Sequence, residues 1–445
     1  LVGSEMCIRD REYIVYDVLD RPIMTGPALT PFGGTTSGVA DMGWMVNIYD
    51  AFGRVAITGW VSGKVSAATR KTQQVTYGGT SILTAVRGSS TIDGVAIGYT
   101  ITGPGLPAGF KILSVNYYDD YTWPGAPILP SDVEGQAVRS NVKGMPSGSW
   151  TRVLSSATSA SDNEVSYIFY DTRGRAVRSY VKNYLGGYNQ VDTKLDFTGK
   201  PITTITHHKR TSATADAVMT TTENFTYDAQ DRVVSHGHNI NGVTNQTLSD
   251  NTYDELGHLI TKRLGIYRPT TSSPIQPMQT VDYKYNIRGW LTDINNVNAL
   301  GSDLFAFRIS YNNVDNSDDP LASSLYNGNI SETYWRTSTD NILRKYTYRY
   351  DNINRLSSAY YRKPGTVVEH AGSYNENITY DSRGNIRKLV RTGGLDDLTN
   401  AVEIDRLLYT YKADSNQLEK VNDESNSPQG FKDVQTSSNI EYTYD

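Results

Sequence analysis

The chain has 445 residues, with 42 Lys and Arg against 47 Asp and Glu, a formal net charge of −5, and 32 Tyr against 9 Phe. Both signs of charge are interspersed with no basic stripe, which excludes a nucleic-acid-binding surface of the usual kind, and no run of about 18 apolar residues marks a membrane-spanning helix. One cysteine, Cys7, excludes a disulfide framework, and a chain this long exceeds one usual core, so several domains or one extended repeat architecture are expected.

Residues 1–11 do not share the Tyr, Thr and Asn character of the rest and read as a non-native, adapter-derived leader. Residues 12–60 hold two copies of a short motif, Tyr16-Asp17-x-x-Asp20-Arg21 and Tyr49-Asp50-x-x-Gly53-Arg54-Val55, separated by a Gly/Thr/Pro-rich loop from Gly26 to Gly38. Residues 61–146 lose the motif and read as a divergent β-rich insert. Val95 to Ile101 and Lys111 to Tyr117 alternate like strands, Trp123 to Pro130 reads as irregular loop, and no long amphipathic helix is expected.

From residue 147 to 445 the motif dominates. Its copies are Tyr170-Asp171-x-x-Gly174-Arg175, Tyr227-Asp228-x-x-Asp231-Arg232-Val233, Tyr253-Asp254-x-x-Gly257-His258-Leu259, Tyr350-Asp351-x-x-Asn354-Arg355-Leu356 and Tyr380-Asp381-x-x-Gly384-Asn385-Ile386. Weaker ones are Leu195-Asp196-x-x-Gly199-Lys200 and Tyr285-Asn286-x-x-Gly289-Trp290. From Tyr170 to Tyr285 the steps are 25, 32, 26 and 32 residues, then 65 to Tyr350, then 30 and 31 to Tyr411. A period of this size marks solenoids, propellers and arrays. The 65-residue step implies one degenerate copy, and the 121 residues between Tyr49 and Tyr170 imply a real interruption. Ile440-Glu441-Tyr442-Thr443-Tyr444-Asp445 reads as the opening of a further copy, so the chain is expected to be an internal piece of a longer protein, with open sheet edges and a tendency to aggregate.

Each copy reads as strand, turn, strand. Tyr346, Tyr348 and Tyr350 alternate with Thr347 and Arg349, and Leu407, Tyr409 and Tyr411 repeat the pattern, so the tyrosines are expected on one packed face. Asp at the first turn position can accept hydrogen bonds from nearby backbone N–H groups, and Gly at the last tolerates a positive φ. Where Gly is missing, Asp20, Asp231 or Asn354 stands in, and Asp and Asn are the other residues that best enter the left-handed region. An isolated hairpin is marginal, so neighbouring hairpins must pair to bury their tyrosines. The expected fold class is therefore all-β, an array of hairpins.

The Tyr-Asp-x-x-Gly-Arg register, the spacing, and Tyr326-Asn327-Gly328-Asn329-Ile330 followed by Tyr334-Trp335 together resemble the YD-repeat, or RHS (rearrangement hotspot), proteins, particularly the long secreted ones of Bacteroidetes. Tyr117-Tyr118-Asp119-Asp120-Tyr121 is similar to a segment upstream of the main array in such proteins. The resemblance covers nearly all of residues 13–445. It implies a long spiralling β-sheet ribbon that closes part of a hollow shell, secretion or cell-surface display, and a C-terminal effector or toxin as the partner enclosed. Asp319-Pro320 is followed by Leu-Ala-Ser and not by the family's Asp-Pro-x-Gly context, so no catalytic residue carries over and no enzyme activity is expected. An alternative reading is an adhesion or carbohydrate-binding surface protein, with Tyr and the 6 Trp as stacking platforms for cell-surface glycans.

Candidate chemistry elsewhere is sparse, and no cofactor is expected. His236 and His238 would share a strand face as metal ligands do, yet no third ligand is near in sequence. His207 and His208 point to opposite faces. Asp315-Asn316-Ser317-Asp318-Asp319 lacks calcium-loop spacing, and Asp119 and Asp120, adjacent on a strand, cannot easily share a substrate. The motif aspartates, from Asp50 to Asp381, read as turn caps. A β-solenoid glycosidase would need a paired-carboxylate cleft that the sequence does not display.

Overall fold

The computed structural model describes residues 12–32, 42–154, 160, 162–243, 245–267, 276–314, 323–369, 372–394, 401–425, 427–432, 441–442 and 444. The leader, Cys7, the acidic loop from Asp315 to Asp319, and Pro320 lie outside them. Thirty strands and one helix occur among the described residues, and the chain divides into two units, 1–246 and 247–445. The nearly all-β, antiparallel hairpin architecture expected from the sequence is what the structure shows.

In the first unit the ladder begins with β1 (Tyr13–Tyr16), β2 (Pro22–Leu29), β3 (Met42–Asp50) and β4 (Val55–Ser62), each antiparallel to the one before. It then passes to β9 (Lys111–Asp119) and β12 (Val142–Arg152). From there it runs strictly in sequence order through β13 (Asn163–Tyr170), β14 (Ala176–Lys182), β15 (Gly186–Leu195), β16 (Pro201–Thr211), β17 (Met219–Tyr227) and β18 (Val233–Ile240). The residues between β4 and β9, and those between β9 and β12, are thus excursions from a continuous ladder. The run from Val95 to Ile101 is not one strand: Val95–Ala96 pairs with Thr91–Ile92, and β8 (Tyr99–Thr102) pairs with β5 (Thr84–Arg87), with Gly98 between them at φ 65°. Strand β5 is also the one parallel partner of β3 among the described residues.

The insert also contains a helix that the sequence pattern did not announce, α1 (Ala67–Tyr77). Ser66 caps it in a capping box with Thr69. Its stripe is polar, with only Tyr77 buried, so apolar periodicity gives no signal. Gln74 instead accepts from the Tyr16 backbone N–H and donates to its carbonyl, at 3.1 and 2.7 Å, and Arg70 donates to the Ile14 carbonyl. The helix thereby covers backbone groups of β1 that a further strand would otherwise pair.

The hydrophobic core of this unit gathers on its early strands: Val15, Ile23, Trp44, Ile48, Ile57, Ile112, Val115 and Tyr117 are buried together, with Tyr117 stacked 4.5 Å from Trp123. Past that core the sheet thins. No described residue between 193 and 296 is buried. Cross-strand rings supply much of the contact on such a sheet, as in Tyr167–Tyr180–Tyr188, 4.6 and 5.5 Å between centroids, and Phe225–His236 at 4.5 Å.

The second unit is a plain antiparallel meander from β19 (Gln246–Tyr253) to β30 (Leu418–Asp423), each strand pairing with the next. One expectation is reversed on β25 (Arg344–Tyr350): Lys345 and Thr347 are fully buried while Tyr346, Tyr348 and Tyr350 are only half-buried. Lys345 lies opposite Tyr334 in register, its ammonium 5.3 Å over that ring, and Tyr334 belongs to a small core with Val297, Leu300 and Ala306.

Candidate functional site

The recurring site is the motif itself. At Asp50 the backbone N–H donates to the Arg54 carbonyl at 2.9 Å, and the Gly53 N–H donates back to the Asp50 carbonyl at 3.1 Å. One carboxylate oxygen of Asp50 then accepts from the N–H groups of Phe52 and Arg54, both at 2.9 Å, and the other receives the Arg54 Nε at 2.7 Å. Gly53 sits at φ 79°, and the strand register slips by one residue between Ile48 and Tyr49, the signature of a turn closed by a bulge. The same set of bonds forms at Asp171 with Gly174 and Arg175, Asp228 with Asp231 and Arg232, Asp351 with Asn354 and Arg355, and, with weaker cations or amides, at Asp254 with Gly257 and His258 and Asp381 with Gly384 and Asn385. Asp20, Asp231 and Asn354, which replace Gly, have φ of 57°, 66° and 67°.

These contacts set the charge state of the carboxylates. At Asp171 burial alone would raise the pKa, but the hydrogen bonds from the backbone and guanidinium of Arg175 and the Arg173 N–H outweigh it, and the net shift is downward. At Asp228 and Asp351 the backbone N–H of the following Arg is the main cause of a downward shift. In these three turns the carboxylate is held ionised by groups of the turn itself.

Sequence reasoning assigned no role to the Arg beyond opening the return strand. In the structure it reaches the next hairpin. The Arg21 guanidinium lies 4.7 Å over the Tyr49 ring, whose hydroxyl donates to the Pro22 carbonyl, the residue after that Arg, at 2.9 Å. Arg355 likewise lies 4.4 Å over Tyr380, whose hydroxyl donates to the Leu356 carbonyl at 2.8 Å. Other residues fill the Arg position and keep the geometry: Lys200 with Tyr227 and the Pro201 carbonyl, His258 with Tyr285 and the Leu259 carbonyl, Trp290 with Tyr311 and the Leu291 carbonyl. Tyr170, Tyr350 and Tyr411 make the same hydroxyl contact, to the carbonyls of Pro146, Ile330 and Ile386. Burial raises the pKa of each of these tyrosines, so the hydroxyl stays a neutral donor. The motif is thus a turn and a latch: Asp orients a flat cation or ring, that group packs on the next tyrosine, and the tyrosine bonds back to the strand it left.

The latch exposes copies that the spacing concealed. Arg54 lies 4.2 Å over Tyr118, whose hydroxyl donates to the Val55 carbonyl at 3.2 Å, while Asp119 takes both terminal nitrogens of Arg54. Asp119 has φ 75°, and the Arg54 hydrogen bonds are the main cause of its lowered pKa. Tyr118-Asp119 is therefore a motif copy whose turn has been replaced by a long insertion that returns at Pro146. Asp120 pairs instead with Arg87. The copy missing from the 65-residue step is split in the same manner, its tyrosine at Tyr311 and its return at Asn327 to Ile330.

Elsewhere, His236 Nε2 lies 3.1 Å from Glu223 Oε1 while its ring stacks on Phe225, and His207 meets Thr220. Among the described residues no group of three His, Cys, Asp or Glu side chains is arranged to hold a metal ion.

The second unit also holds a polar cavity of about 530 Å³ beside its small core, lined in part by Asn286, Asp293, Arg308, Asn312, Glu332 and Tyr334. Glu332 is fully buried and paired with fully buried Lys345 at 2.8 Å, and the Tyr334 hydroxyl donates to its other oxygen at 2.9 Å. Arg308 lies 4.0 Å over the Tyr334 ring.

A hairpin array closed by these latches defines the fold class. No family model matches the chain, and no curated protein matches it. Similarity is found to solved structures described as TcdB2-TccC3-TEV (14% identity, covering 93% of this chain and 19% of that one, TM-score 0.36) and TcdB2-TccC3-Cdc42 (13%, 95%, 24% and 0.36). A Photorhabdus luminescens Tc holotoxin pore with a TccC3 mutation gives 11%, 93%, 21% and 0.36. The chain spans about a fifth to a quarter of the length of those chains. Likeness at this level assigns this chain no family and no activity.

Proposed function

We propose that this chain is a wall segment of a β-sheet container that encloses and helps deliver a C-terminal effector carried by the full-length protein, which is secreted or displayed at the cell surface. The observation that supports this most is the latch. It joins neighbouring hairpins at Arg21, Arg54, Lys200, His258, Trp290 and Arg355 through short-range contacts, so a sheet can extend without a thick core, and an extended single-layer wall is what a container needs. The sequence resemblance to YD-repeat proteins supplies the cargo part of the reading. In it the chain acts as a scaffold and not as a catalyst.

The test uses the full-length protein. Limited proteolysis, followed with an antibody to the C-terminal segment, is expected to leave that segment protected under conditions that digest it when expressed alone. Equal digestion rates, or a gene that ends without a C-terminal domain beyond the repeats, would overturn the proposal.

A further inference from the structure

The first motif copy is latched on one side only. Its Arg21 reaches forward over Tyr49, as Arg355 does over Tyr380. Its own tyrosine, Tyr16, has no such neighbour behind it. Among the described residues its hydroxyl makes no hydrogen bond and no cation or ring lies over it, and it is 36% exposed against 8% for Tyr49. In a complete latch the tyrosine's strand is flanked by the return strand of the preceding hairpin, as β3 is by β2, and the hydroxyl bonds to the first residue of that strand.

Beside Tyr16 that position is taken by α1. Alternate residues of an antiparallel edge strand turn their N–H and C=O groups outward, and on β1 these are Ile14 and Tyr16. Arg70 Nε donates to the Ile14 carbonyl at 2.8 Å, while the Gln74 carboxamide accepts from the Tyr16 N–H at 3.1 Å and donates to its carbonyl at 2.7 Å. Gln74 thus presents the donor and acceptor that a peptide unit of a neighbouring strand would present. The spacing explains why a helix can do this. Residues four apart on a helix share a face and rise about 6 Å, and residues two apart on a strand share an edge and lie about 6.7 Å apart, so Arg70 and Gln74 fall opposite Ile14 and Tyr16. With only Tyr77 of α1 buried, apolar packing does not account for where the rest of the helix lies.

We infer that α1 is a terminal cap of the hairpin array: it holds the place of a preceding return strand on β1 and stops a strand of a second copy of this chain from adding there. An array needs such a cap because each repeat turns outward the surface with which it would bind another, and an edge strand with free N–H and C=O groups is a template for pairing. The inference concerns the first unit alone and rests on the latch geometry, not on any enclosed cargo.

Replacing both cap residues, Arg70→Ala with Gln74→Ala, removes the contacts to β1 and keeps good helix formers in place. Light scattering over a dilution series is read as the difference from the unsubstituted chain, so that association at any other edge cancels. A concentration-dependent rise in mass is expected for the variant. Hydrogen exchange at the Tyr16 amide is expected to quicken by about tenfold or more in dilute variant, where no added strand replaces Gln74. Adding Ile14→Pro removes an outward N–H that α1 does not use and an added strand would need, and is expected to return the mass to that of the unsubstituted chain. Unchanged mass or unchanged exchange in the double variant, or association that persists with Ile14→Pro, would overturn the inference.

Discussion

The hydroxyl of a motif tyrosine closes the latch, and at Tyr49, Tyr118, Tyr227 and Tyr380 the ring also receives the preceding cation. Tyr170 is the most enclosed of those in the first array, 6% exposed, and donates to the Pro146 carbonyl at 2.8 Å. Tyr170→Phe keeps the ring and leaves that carbonyl unpaired, so a loss of about 1–2 kcal/mol is expected in urea unfolding. A change within error would show that water replaces the hydroxyl. The Lys345–Glu332 pair is the other residue-scale commitment, both side chains fully buried. Lys345→Ala leaves the buried Glu332 carboxylate without its cation and is expected to cost about 3–5 kcal/mol, whereas Lys345→Met with Glu332→Leu, which removes both charges, should recover most of it. If the double substitution were as damaging as the single one, shape and not charge would explain the pair.

At the scale of the hairpin, the last turn position decides how well the bulge closes. Gly174 sits at φ 81° and Asn354 at 67°. Gly174→Val places a β-branched residue in the left-handed region and is expected to destabilise by about 1–2 kcal/mol or more, while Asn354→Gly relieves a mild strain and should be neutral or slightly stabilising. Thermal melts of the two variants check the sign of each. The hairpin is also where sequence reading succeeds and then fails. The strand alternation and the Asp and Gly of each turn act within a few residues, so the all-β class was legible from them. The latch was not, because Arg21 and Tyr49, or Arg355 and Tyr380, belong to different hairpins, and nothing local marks them as partners. Tyr118 was missed for a related reason: its Asp119 no longer has a Gly three residues on, and only the position of Arg54 reveals what the pair does. Helix α1 escaped because its purpose is polar, carried by Gln74 and Arg70 against the β1 backbone and not by an apolar stripe.

At the scale of the molecule, the repeated carboxylates couple stability to pH. Asp17, Asp171, Asp228, Asp254, Asp351 and Asp381 are all shifted downward in the folded chain. A carboxylate with a depressed folded pKa is protonated more readily when unfolded, so its contribution is complete above the unfolded value of about 3.9 and is lost as pH falls through the folded value. The strand signal in circular dichroism is therefore expected to hold from neutral pH to about pH 5 and to fail below about pH 4, with many turns loosening over the same narrow range. A chain that kept its signal and its urea midpoint unchanged at about pH 3 would show that the turns do not depend on ionised aspartates.

The sequence by itself determined the repeating element: where a strand ends, which aspartate caps the turn, and which residue takes the left-handed conformation, because those choices are settled by dihedral preferences and hydrogen bonds within one hairpin. It also determined that such hairpins must pair, since a lone one buries too little. Only the tertiary structure decided how they join. The cation of one turn finds the ring of the next across gaps of unequal length in sequence, inserted segments leave the ladder and return to it, and Lys345 and Thr347 are buried instead of the tyrosines beside them. Those outcomes depend on which surfaces meet, and a strand carries the same alternation whichever of its faces is covered.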